Sequence, residues 1–161
     1  PASEKKPFSM IVSGQGTGLV EILSLEENNR FLGLAIMAKA GDRVLLDYFA
    51  IADEVRGHGA GSAALQALRE RYQGMRIIIE STKCEDEEEL ALRTRRKKFY
   101  LRNGFTMLPY YIDLWGTEME MLSNGQPCPY EEYLDIYTTA FGTKVSDKIH
   151  FLGDAPAADE I

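Results

Sequence analysis

Two runs near the start of the chain alternate apolar with polar residues, Thr17–Glu26 (TGLVEILSLE) and Asn29–Ala40 (NRFLGLAIMAKA). A period of two predicts strands with one buried face. Glu27, Asn28 and Asn29 supply turn residues between them, so a hairpin is the simplest connection. After a second turn at residues 40–42, Arg43–Ala52 (RVLLDYFAIA) is almost continuously apolar. That pattern predicts a strand covered on both faces, at the middle of a sheet. The period then changes. Gly61, Leu65, Leu68 and Tyr72 recur at helical spacing, with charges opposite, so Ser62–Tyr72 (SAALQALRERY) predicts a helix that Gly74 ends. Met75–Ser81 follows as a second buried strand, rich in β-branched residues. Strand, helix and strand in this order form a right-handed crossover with neighbouring parallel strands.

Further along, Glu85–Asn103 reads as a helix with acids at its start, Glu85 to Glu89, and bases from Arg93 to Lys98. This polarity suits the helix dipole, and Asn103-Gly104 is a stop signal. Phe105–Leu114 and Thr117–Leu122 read as a hairpin around Trp115-Gly116, and Pro129–Phe141 as a helix with Pro near its first turn. The tail, Gly153–Ile161, is expected to fray. The pattern thus predicts one α/β domain over 1–161, with a core at 17–122 and a C-terminal helix over 129–142. Its mixed central sheet of about six strands is flanked by helices.

Composition narrows the functional classes. No apolar run approaches the ~18 residues of a membrane span, and Pro1–Pro7 is polar, unlike a signal peptide, so the expected compartment is cytoplasmic. The balance of 18 basic against 25 acidic residues gives a net charge of -7. This argues against nucleic acid as a partner and favours a cationic substrate such as an amine. Cys84 and Cys128 lie far apart, and His58 and His150 do not supply metal-ligand spacing, so no metal is expected. In an intracellular chain these thiols are expected to stay reduced.

The most informative stretch is Val55–Ser62 (VRGHGAGS), between the buried strand and the first helix. Gly57, Gly59 and Gly61, at alternate positions, let the backbone approach a ligand closely. The following helix presents unpaired N–H groups and its positive dipole end to the same point, which makes a phosphate cradle. Arg56 can add a guanidinium. The spacing is neither the dinucleotide G-x-G-x-x-G nor the P-loop pattern. The plainer alternative is a glycine turn that only lets the helix pack tightly on its strand.

Arg56, Gly59 and Gly61, spaced R-x-x-G-x-G, resemble the pyrophosphate-binding motif of the GNAT acetyltransferase superfamily. Downstream, Arg96–Phe105 (RKKFYLRNGF) resembles that family's F-Y-x-x-x-G-F signature. The likeness covers about Thr17 to Leu122. It implies an N-acetyltransferase that moves the acetyl group of acetyl-CoA directly to a primary amine in a ternary complex. The acceptor would be a small molecule or peptide. Pyrophosphate would be held by Arg56, Gly57, His58, Gly59, Ala60, Gly61 and Ser62, and the pantetheine arm by Phe49, Ala50 and Ile51. Tyr100 would lie near the thioester sulfur as general acid. His58 occupies a variable position and receives no catalytic role.

The base is open between Glu80, which closes Ile77-Ile78-Ile79, Asp47, which interrupts Val44–Ile51, and water. Either carboxylate can instead belong to a hydrogen-bond network. Arg93, Arg96 and Lys97 share a helix side with Tyr100. They line the cleft or form a solvated face paired with the acidic cluster. The family places a strand and one or two helices before the first hairpin. Here sixteen residues precede Thr17, and Pro1–Phe8 reads as the tail of those helices, as in a truncated or processed chain. Acceptor specificity is expected in the Trp115 hairpin and the C-terminal helix, and a homodimer would form through the last strands. A CoA-binding regulatory module without catalysis and a nucleotide-binding module are the alternatives.

Overall fold

The computed structural model describes residues 9–13, 19–57 and 59–154. In chain order the elements are β1 (Ser9–Ser13), β2 (Val20–Glu27), β3 (Arg30–Ala40), β4 (Arg43–Ile51), α1 (Ala60–Arg71), β5 (Met75–Glu80), α2 (Glu87–Arg102), β6 (Thr106–Leu114), β7 (Thr117–Ser123), α3 (Tyr130–Phe141) and β8 (Ile149–Asp154). The strands form one sheet in the order β1-β2-β3-β4-β5-β7-β6-β8. Every neighbouring pair is antiparallel except β4 and β5, which are parallel.

The elements from β2 to α3 follow the periodicity closely, although α1 begins at Ala60 rather than Ser62. Thr17 and Gly18 lie outside the described residues, as do Pro1–Phe8, so the expected helical tail there has no counterpart to report. The sheet has eight strands rather than about six. The additional strands, β1 and β8, are its two edges. In β8, consecutive Phe151 and Leu152 are both about half exposed, so no apolar alternation marks the strand. It is held by main-chain pairing with β6. Gly153 and Asp154, expected to fray, pair with Tyr111 and Tyr110; residues 155–161 lie outside the described set.

Burial on two faces follows from the apolar run in β4. Val44 and Leu46 pack into a core under α1 and α2 with Leu65, Leu68, Tyr100 and Phe105. Leu45 packs into a second core under α3 with Ile78, Tyr133 and Ile136. Two irregularities shape the sheet. Ile36 pairs with Tyr48 and Met37 with Leu46, so Asp47 is an extra residue, a β-bulge in β4. The bulge is why Leu46 and Phe49, an odd number of residues apart, face the same core. In β6 the ladder to β7 skips from Met107 to Tyr111 around Pro109, which has no N–H to donate.

The decisive feature for the site is how little β4 and β5 pair. Val44–Leu46 match Met75–Ile77, and no pairing continues beyond Leu46 and Ile77. From Asp47 onward the β5-facing edge of β4 therefore has no ladder partner there, and the strands part toward their C-terminal ends.

Gly33 closes the other side of β4. A Cβ there would lie 2.1 Å from the Ala50 carbonyl oxygen and 3.1 Å from Ile51 Cα. Both are backbone atoms, which cannot rotate aside. Gly33→Ala should therefore cost about 1–3 kcal/mol, with the melting temperature falling by roughly 2–4 °C per kcal/mol. Thermal denaturation checks this, and an unchanged melting temperature would mean that the strands separate here without penalty.

Candidate active site

β4 ends at Ile51, and a short 3₁₀ turn, Asp53–Val55, leads into the glycine loop. Arg56 braces this turn: its Nε–H donates to the Ile51 carbonyl at 3.0 Å, and Nη1 lies 3.2 Å from Asp53 Oδ1. The rest of its exposed guanidinium remains available to a ligand. Gly57 and Gly59 take φ of 82° and 77°, a region that side chains other than glycine rarely enter. Among the described residues, a Cβ at either position would meet nothing within 4 Å. His58, the remaining loop residue, lies outside the described set.

Gly59 is the N-cap of α1 and offers no capping side chain, and the first turn of α1 holds no acid. The other two α-helices differ. Asp86 caps α2 by accepting from the Glu89 N–H at 2.8 Å, with Glu87–Glu89 in the first turn. α3 opens with Glu131 and Glu132. Those helices neutralise their own positive ends, whereas α1 presents bare N–H groups to a glycine surface. Such an end receives anions.

α2 meets this loop on the same face of the sheet. A Cβ on Gly61 would come within 3.2 Å of the Phe99 ring. Phe99 stacks on Phe49 of β4, centroids 6.2 Å apart and planes 15° apart. Its edge contact with Tyr100 is at 5.2 Å. Farther along α1, Arg69 donates to the Asn103 carbonyl and, at 2.7 Å, to Asn124 Oδ1, and lies 4.9 Å over the Phe105 ring. The glycine loop, the end of β4 and the last turns of α2 thus form one packed unit. Tyr100 is 3% exposed, and its hydroxyl makes no hydrogen bond among the described residues. Burial raises its pKa well above that of free tyrosine, against a weaker opposing pull from Arg96. The phenol stays protonated at neutral pH.

The two carboxylates singled out from sequence stand in different surroundings. Glu80, at the end of β5, is paired with Arg93 at 2.7 Å and Arg96 at 3.5 Å. Arg93 is itself shared with Glu89 at 3.0 Å. Asp47, at the bulge, has no hydrogen bond or ion pair among the described residues, and burial raises its pKa. Ala50 and Ile51 lie on the stretch of β4 that has left β5, with Phe49 packed beneath Phe99.

A family model described as an acetyltransferase (GNAT) domain matches residues 19–107, more than half of the chain. The chain belongs to the GNAT acetyltransferase family. It is an acetyl-CoA-dependent acyltransferase. The match runs from β2 into β6 and includes both the glycine loop and Tyr100. Solved structures agree in fold. A GNAT-family acetyltransferase from Bacteroides thetaiotaomicron aligns with a TM-score of 0.63 at 20% identity, over 79% of this chain and 76% of that one. A GNAT-family acetyltransferase from Elizabethkingia anophelis with acetyl-CoA bound aligns with a TM-score of 0.55 at 14% identity, over 73% and 97%. A search of curated proteins found no match.

In this GNAT domain some polar residues sit where sequence patterns did not place them. Of the basic run, Lys97 is not on a solvated face. It is buried and pairs with buried Glu120 of β7 at 3.2 Å, because α2 lies over β7. Glu120 was missed, although Glu118 and Glu120 alternate with Met119 and Met121, the signature of a strand with a polar face. Tyr133 was missed too, and the spacing of Tyr130, Tyr133, Tyr137 and Phe141 on one helix side could have found it. Among the described residues no side chains gather as a metal site, and no helix is long and apolar enough to cross a membrane.

Asp47 gives a test through stability. Its carboxyl titrates above the ordinary value of 3.8 in the folded protein, so the unfolded chain gives up the proton more readily. Ionised Asp47 therefore disfavours folding. The penalty is fully present above the folded pKa and vanishes once pH falls below the unfolded one. Asp47→Asn should be more stable than the parent at pH 7 and lose that advantage in acid, as read by urea denaturation at both conditions. A variant less stable at neutral pH would mean that the carboxylate has a partner.

Proposed function

We propose that this enzyme acetylates a primary amine of a small molecule or peptide by direct transfer from acetyl-CoA within a ternary complex. One observation carries the reading. The glycine loop and Tyr100 lie on one face of the sheet in a single packed unit, at the end where β4 leaves β5. A diphosphate would be received by the main chain of Gly57, His58, Gly59, Ala60, Gly61 and Ser62, with the free N–H groups of Arg56. The amide-rich pantetheine arm would pair with the unladdered edge of β4 at Phe49, Ala50 and Ile51. The co-substrate supplies an activated acyl thioester. One neighbour in fold, an aminoglycoside 6'-N-acetyltransferase, is complexed with coenzyme A, and another is the acetyl-CoA complex described above.

The chemistry assigns complementary tasks to two residues. An alkylammonium, pKa ~10.4, has no lone pair at neutral pH and must lose a proton before it can attack. Asp47, with no ion pair among the described residues and a pKa raised by burial, takes that proton directly or through one water. Glu80 is the weaker candidate, because two arginines already occupy its carboxylate. The amine nitrogen then bonds to the acyl carbon as the carbon–sulfur bond breaks. Tyr100 gives its phenolic proton to the departing sulfur, and the tyrosinate recovers one from the newly acylated nitrogen through solvent. Asp47 returns its proton to bulk water. A main-chain N–H of β4 beside the bulge is the oxyanion donor.

Two measurements test this. CoA should raise the melting temperature, by linkage worth about 2.7 kcal/mol at a hundredfold excess over Kd, whereas NAD and ATP should not. Stabilisation by ATP or NAD but not CoA would overturn the reading. In an acetyl-CoA assay with a broad amine panel, Tyr100→Phe should lower kcat about a hundredfold and leave CoA affinity unchanged. An undiminished kcat would remove Tyr100 from the reaction.

A further inference from the structure

The face of the sheet opposite α1 and α2 carries a polar pair that the packing leaves incomplete. Leu45 faces the core under α3, and Asp47 follows at the bulge, on the strand that α3 crosses. α3 packs across β3 and β4. From it, Tyr133 and Tyr137 project within electrostatic reach of the Asp47 carboxylate. Tyr133 is fully buried, at 0% exposure, yet among the described residues its hydroxyl has no hydrogen-bond partner. A buried hydroxyl without a partner costs free energy, and a native fold retains such a group where something else completes it. Asp47 has no partner either among the described residues. A group that donates both to the carboxylate and to the phenol oxygen would complete the two residues. An ammonium, with several N–H donors and no acceptor, meets both demands; an anion would be repelled.

A line of aromatic rings leads from this pair to solvent. The Tyr133 and Tyr137 centroids are 5.8 Å apart, those of Tyr137 and Phe141 4.6 Å, and those of Tyr137 and Trp115 6.0 Å. Exposure rises along the line, from 5% at Tyr137 to 37% at Phe141 and 54% at Trp115. Trp115 adopts φ of 51°, where bulky residues are rare, and its N–H is tied to the Lys148 carbonyl at 2.8 Å. The hairpin it tops also lies at the correct end of the sheet. Ser81, just past β5, donates its N–H to the Glu118 carbonyl at 2.9 Å. This is the end at which β4 and β5 part.

We propose that the acceptor's ammonium group is received between Asp47 and Tyr133 on the α3 face, with Tyr137, Phe141 and Trp115 selecting an acceptor that bears an aromatic group near the nitrogen. Coenzyme and acceptor then approach the parting of β4 and β5 from opposite faces. The inference rests on the acetyltransfer reading above and deepens it. In this role Tyr133 is a substrate-positioning residue, and the rings attract the cation through their π faces.

The experiment uses the full chain saturated with CoA and measures binding by calorimetry of three probes: phenethylammonium, n-butylammonium and 2-phenylethanol. Phenethylammonium should bind more tightly than either other probe. Asp47→Asn should weaken it by about tenfold or more, and isosteric Tyr133→Phe by roughly three- to tenfold. Phe141→Ala, at the surface, should narrow the gap between the two cations. CoA affinity should be unchanged in all three variants. The inference is overturned if 2-phenylethanol binds as tightly as phenethylammonium. It is equally overturned if Asp47→Asn and Tyr133→Phe leave the affinities unaltered, or if CoA binds and no cation does. Failure to bind CoA would instead remove the acetyltransfer reading beneath it.

Discussion

The structure is organised by the parting of two parallel strands. β4 and β5 share only three paired positions before the extra residue Asp47 bulges from β4. Main-chain N–H and C=O groups need partners, and a central strand that loses its neighbour on one side must find them elsewhere. Here they open onto a gap that α1 and α2 approach from one face and α3 from the other. A strand edge inside a sheet is thus made available to a ligand without exposing a sheet margin to other chains.

α1 differs from the other helices in what its first turn lacks. In the glycine loop, Gly59 offers no capping side chain at the helix start, and no acid lies in the first turn of α1. The same small residues let α2 come close, since Gly61 leaves room for Phe99 and so fixes the neighbouring Tyr100. Arg69 repeats the link farther along, joining α1 to the turn that ends α2. A substitution at Gly61 would act on both the loop and the phenol, because one contact serves both.

Charge is distributed unevenly around this centre. Arg93 and Arg96 bind Glu80, and Lys97 binds Glu120, so α2 is held to β5 and β7 through ion pairs. The buried Lys97–Glu120 pair is weak evidence for stability, since its desolvation offsets its attraction, but losing one member would strand a charge. Asp47 is the contrasting case, a partly desolvated carboxylate without a cation partner among the described residues. Isolated charge of this kind disfavours folding and recurs at sites that bind or react.

The chain's own periodicity determined the strands β2 to β7 and the three α-helices, because each buries a side-chain stripe that repeats at two or 3.6 residues. It also made the glycine loop ahead of α1 legible, since alternate glycines before a helix are a local, backbone-level signal. It did not reveal β1, which pairs with its neighbour β2, or β8, which is held by main-chain pairing with β6, remote in sequence, while Phe151 and Leu152 break the alternation of buried and exposed positions. Nor could it decide which carboxylate is neutralised. Glu80 and Asp47 look alike as single acids in apolar runs, and only the fold brings two arginines to one and, among the described residues, none to the other. Tyr133 shows the same limit. Its place on α3 is legible from spacing, but whether a hydroxyl is satisfied depends on what lies across the interface. Local geometry is written along the chain, whereas solvation and charge pairing are properties of neighbours that only tertiary packing supplies.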